Sequence, residues 1–181
     1  MTRPIAMARF DRGWPLAGGA ATVLSVLVLG LAAMAAGLPF WMPLNATSHG
    51  LHGPEAGQFA GLDLMHTGVG AVIHVAACFF WAAVAVLMLR AADRGSPMLA
   101  WAAGLATGAL AGVVDYALMP ARLTPGWELV LPAAGVMAGL AAMGVGIALG
   151  LRAAHVPDIP AHLHATPPPT AADQPGIVHE D

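Results

Sequence analysis

No lysine occurs in this chain of 181 residues, and charged side chains make up only 9% of it. An ordinary soluble domain carries about 25%. The seven basic residues are all arginines and are scattered along the chain, so no basic patch exists to hold a nucleic acid. A single cysteine, Cys78, excludes an intrachain disulfide and leaves the redox compartment unreadable. Neither G-x-S-x-G nor H-E-x-x-H is present, which removes two common hydrolase signatures. The net charge of −3 is too small to indicate a partner.

What the chain has in quantity is apolar length. Hydrophobic residues make up 58% of it, and they gather in four runs at about 15–38, 65–89, 97–118 and 128–151. Each run reaches the ~20 residues that a helix needs to cross a ~30 Å hydrocarbon core. The expected fold is all-α: a polytopic membrane protein of four transmembrane helices in an antiparallel bundle. Residues 1–13 form a lead, 14–152 the membrane domain and 153–181 a tail. The longest connection, 39–64, is rich in Gly, Pro and polar residues and is predicted to be a loop. The Leu38-Pro39 step is expected to end the first helix, and Asp63 to cap the second. The tail has six prolines and scattered histidines, including His162 and His164; it is too polar and Pro-rich to bury a core and is expected to be disordered.

Arginine placement predicts the topology. Arg3, Arg9, Arg12, Arg90, Arg94 and Arg152 fall on one side of the four runs, and only Arg122 falls on the other. The positive-inside rule then places both termini in the cytoplasm and the 39–64 and 119–127 connections outside. Trp14, Trp41, Trp101 and Trp127 lie near span ends, where the membrane interface favours them, whereas Trp81 lies deeper and is expected to pack. The basic start and Ala33-Met34-Ala35 would also suit a cleavable signal peptide, but the first run is longer than a usual signal core.

Two features place polar chemistry in the membrane. His66, Gly70, His74 and Cys78 recur every four residues, with Asp63 three before His66, so all five share one helical face. His74 should sit about 16 Å from the outer end, a depth at which an imidazole turns inward. Asp115 follows Gly112 by three residues, on the face of helix three that carries Gly104, Gly108 and Gly112. Those glycines form a ridge for close helix packing, within the chain or against a homo-oligomer or membrane-complex partner. The topology thus gathers His49, His52, Glu55, Asp63, His66, Asp115, Arg122 and Glu128 at one external face, above His74.

Several chemistries follow. His49-x-x-His52 with Glu55 or His66 could hold a divalent metal such as zinc. A b-type haem is disfavoured, because helices one, three and four contain no histidine and only Met34, Met137 or Met143 could pair with one. A half-channel through His66, His74 and Asp115 has no continuation, since the cytoplasmic halves of helices three and four carry only Thr107. Asn45-Ala46-Thr47 fits a glycosylation acceptor, with a loop turn as the plainer use.

The segments MPLNATSHGLHG (42–53), HTGVGAVIHVAACFFWA (66–82) and VDYALMPARLTPGWEL (114–129) resemble segments of small, uncharacterised bacterial four-helix integral membrane proteins. The resemblance implies a bacterial inner membrane and carries no activity. The leading expectation is an inner-membrane protein with an outward-facing His/carboxylate site, formed by Asp63, His66, His74, Asp115 and Arg122, for a proton, metal ion or small polar ligand. In that arrangement Asp115 pairs with His66 at the site floor. A structural or assembly subunit is the second reading, and a metal-dependent membrane enzyme the third.

Overall fold

The computed structural model describes residues 10–91 and 97–154. Arg3, Arg9, Arg94 and the tail histidines lie outside the described residues. Every regular element among them is helical. Four long helices run Phe10–Ala35 (α1), Val69–Ala91 (α4), Pro97–Val113 (α5) and Ala133–Ala154 (α6). Two short ones, Met42–Thr47 (α2) and His49–His52 (α3), lie between α1 and α4. With their adjoining turns, the four long helices supply spans of Arg12–Ala35, Leu64–Leu89, Met98–Leu118 and Ala133–Ala154, each long and apolar enough to cross a membrane. The chain is a four-helix, multi-pass membrane bundle.

The helices form a ring in which α1 packs on α4 and α6, and α5 packs on α4 and α6. Small residues set the closest approaches. On one face of α6, a Cβ at Gly146 would lie 2.5 Å from the Ala21 Cα, and one at Gly150 would collide with Ala17. Thus Gly-xxx-Gly on α6 meets Ala-xxx-Ala on α1 at backbone distance. On another face, a Cβ at Gly104 would come within 2.5 Å of the Gly144 carbonyl, and one at Gly108 within 2.9 Å of that of Leu140. The ridge of α5 is therefore occupied by α6 of the same chain. Leu29, Val86, Ile147 and Leu151 fill the interior, while Leu31, Val72, Phe80 and Met137 lie on the outside, where a bilayer would solvate them.

The end of α1 differs in detail from the expectation. Gly37 adopts φ +76°, with Leu38 N–H donating to the Ala33 carbonyl and Gly37 N–H to that of Met34. That is a Schellman stop, so a left-handed glycine ends the helix two residues before Pro39. The 39–64 connection is also more ordered than a plain loop. It folds into α2, α3 and a 3-10 turn over Pro54–Gln58, and Met42, Pro43 and residues 45–49 are buried. This segment lies against the start of α4, where a Cβ on Gly70 would overlap the Leu44 carbonyl. It forms a cap over one end of the bundle. The 119–132 connection lies at the same end.

Both spans that carry the polar residues have a π-helical turn at the capped end: Leu64–Gly68 leading into α4, and Val114–Leu118 continuing α5. Each inserts extra backbone into the helical repeat and re-aims the side chains it carries, a device common at functional sites. One holds His66 and the other holds Asp115.

Candidate functional site

The polar residues separate into a group in the cap and a group inside the bundle. In the cap, Asp63 accepts the His66 N–H at 2.6 Å and also receives its ring Nδ1 at 3.0 Å. These two bonds from His66, the backbone one first, hold the Asp63 carboxyl below its usual range. The His66 ring stacks on Phe59 at 4.2 Å between centroids and lies 4.8 Å from the His52 ring. The structure thus pairs His66 with Asp63 and not with Asp115. This is the one His–carboxylate contact of salt-bridge distance among the described residues.

His49 acts as a strap. It is 6% exposed, with Nδ1 3.0 Å from the Ala46 carbonyl and Nε2 3.0 Å from that of Ala121. Both nitrogens lie against backbone carbonyls, so the ring is placed to brace the backbone and not to reach a metal with its neighbours. The strap joins the cap to the 119–132 connection. Arg122 adds to it, its Nε donating to the Gly50 carbonyl at 3.0 Å. Gly126, at φ +78°, fits where a Cβ would strike His49 and the Ala46 carbonyl. His52 Nδ1 lies 3.1 Å from Ser48 Oγ, and Glu55 is exposed. Among the described residues no three His, Cys, Asp or Glu side chains gather as a metal-ligand set, so His49, His52, Glu55 and His66 do not converge as the spacing suggests.

Asn45 organises the rest of the cap. Its amide donates to the Phe59 and Gly61 carbonyls, and its oxygen accepts from Thr67. It is fully buried, which leaves no room for a glycan, and Asn45-Ala46-Thr47 lies within helix α2 and not in the loop turn expected.

The second group surrounds a cavity of about 100 Å³ beneath the cap, with His74, Cys78, Asp115, Thr124, Trp127 and Met143 in its wall. His74 is 3% exposed and its Nε2 lies 2.9 Å from Ser25 Oγ. Ser25 donates its own proton to the Ala21 carbonyl at 2.7 Å. With the Ser25 proton committed to Ala21, Nε2 is the nitrogen placed to donate to Ser25, which leaves Nδ1, without a hydrogen-bond partner among the described residues, as the acceptor of a neutral ring that lines the cavity. Cys78 Sγ lies 3.6 Å from the same Nε2.

Asp115 is half-buried and enters the same wall from the π-turn of α5. Arg122 is turned to Gly50 and His66 to Asp63, so neither neutralises it. Trp127, expected at the interface, is instead 4% exposed; its Nε1 donates to Thr47 Oγ1, and its ring lies 5.8 Å from that of His74. The cavity thus joins two hydrogen-bond acceptors, an imidazole lone pair and a carboxylate, under an aromatic lid.

Sequence reasoning finds His74, Cys78 and Asp115 by their depth and spacing. It misses Ser25, a lone hydroxyl in an apolar run, and the inward turn of Trp127. No family model matches the chain, and comparison with curated proteins and with solved structures likewise found no match. The functional reading rests on the geometry of the cavity.

Proposed function

We propose that this is a small bacterial inner-membrane protein, with both termini cytoplasmic, that binds a proton or a small polar ligand from the outer side at a His/carboxylate site. The observation that carries the reading is the shared cavity. His74 comes to it from α4 with an Nδ1 that has no hydrogen-bond partner among the described residues, and Asp115 from the π-turn after α5 with a carboxyl that has no ion pair among them. Ionisable groups at membrane depth are expensive to keep, so a pair of them at one cavity favours a binding role over packing. The arginine bias puts the capped end outside, which makes the cap, with His66 and Asp63, the roof of an outward-facing site.

The test is the ¹⁵N spectrum of the histidine rings in the purified chain. The expected result is a His74 ring in the Nε2–H form whose Nδ1 resonance moves when Asp115 is changed to Asn or when pH is varied. A His74 resonance indifferent to both would overturn the reading.

An assembly role is the second reading. It is favoured by an apolar groove of about 870 Å³ between α5 and α6, in which the Tyr116 hydroxyl is buried without a hydrogen bond of normal geometry. Under that reading Asp115→Ala and His74→Ala would both be tolerated.

A further inference from the structure

The wall of the His74–Asp115 cavity is asymmetric in its hydrogen-bonding capacity. Its hydroxyl protons are already engaged. Thr47 donates to the Pro43 carbonyl, and its oxygen accepts from Trp127. Thr124 donates to the Ala121 carbonyl or to Glu128. Behind the wall, Ser25 donates to Ala21. Two acceptors stay open, His74 Nδ1 and the Asp115 carboxylate. No lysine or arginine lines the space. An occupant must therefore bring hydrogen-bond donors and, opposite an ionised Asp115, positive charge.

Size and surface narrow the class further. The space is small, about 100 Å³, enough for a few waters or one small organic ion. Trp81 and Trp127 contribute indole surface to the wall, and aromatic faces attract ammonium groups. A divalent metal fits less well, since no three ligating side chains gather there.

We infer that the ligand of this cavity is a small protonated amine of ammonium to methylammonium size, held between Asp115 and the His74 Nδ1 against indole surface. The inference rests on the reading of the cavity as a binding site and names the ligand class for it. An N–H of the cation donates to His74, and its charge replaces the counterion that Asp115 lacks among the described residues.

The experiment is equilibrium dialysis of radiolabelled methylammonium against the full chain in detergent at neutral pH. Wild type is compared with Asp115→Asn and Asp115→Glu, each first checked for monodisperse elution. Saturable binding near one per chain is expected, displaced by ammonium but not by tetramethylammonium, which has no N–H to donate. Loss of one charge-assisted hydrogen bond should weaken binding in Asp115→Asn at least about tenfold, while Asp115→Glu retains it. The size series in wild type decides the matter even if the Asn variant fails to fold. Absence of saturable binding, or equal displacement by tetramethylammonium, overturns the inference. If His74 still responds to Asp115→Asn and to pH in the ¹⁵N spectrum, the binding-site reading survives with the proton as ligand; if it does not, both fall.

Discussion

Single residues at the capped end act through which partner they take, and the sequence shows candidates without showing that choice. His66 and Asp63 are three apart, and their pairing could be read from spacing alone. The pairing of Asp115 could not, because it depends on where a π-turn aims the side chain. His49 illustrates the same limit: it looks like half of a metal site, yet both of its nitrogens lie 3.0 Å from backbone carbonyls 72 and three residues away. For Asp63 the sign of the pH effect is clear. Its folded carboxyl lies below the usual value, so its charged form stabilises the entry to α4. That contribution is present above about pH 4 and is lost as pH falls through the lowered folded value. The protection factor of the His66 amide, which Asp63 binds, should therefore fall on acidification below about pH 4. Asp63→Asn should remove most of that dependence. An amide equally protected at pH 3 and pH 6, roughly one unit below and two above the carboxylate range, would contradict the capping role.

Among the elements, the long helices were legible because four apolar runs of spanning length admit few other structures. Their ends were less so. The stop of α1 belongs to Gly37 and its left-handed φ, not to the more conspicuous Pro39. The cap was read as loop because α2 and α3, of six and four residues, are too short to show helical periodicity. Their stability comes from packing on Gly70 and from the bonds of Asn45. The glycine ridges were visible, but their partner was not; the structure assigns the α5 ridge to α6. Gly146, facing the Ala21 backbone at 2.5 Å for an added Cβ, tests the companion packing of α6 on α1. Gly146→Val should lower the unfolding free energy by about 1–3 kcal/mol, as overpacking does, read as a fall in thermal stability in detergent. A variant as stable as wild type would mean that α1 and α6 do not approach so closely.

At the scale of the whole molecule, the bundle brings one histidine and one carboxylate from different spans to a single small cavity and covers them with a cap strapped down by His49 and Arg122. The sequence placed both residues on inward faces, Asp115 near the outer end and His74 deeper. It could not show that Ser25 orients the imidazole, or that Trp127 closes the wall, since a lone serine and a loop tryptophan carry no pattern. The central claim is that this cavity opens to the outer side. It is tested most directly by thiol accessibility at Asp115→Cys in a Cys78→Ser background, using a membrane-impermeant reagent on intact cells and on inverted membrane vesicles. The account expects labelling in intact cells and little in inverted vesicles. Labelling confined to inverted vesicles, or none on either side while a permeant reagent still reacts, would contradict an outward-facing site.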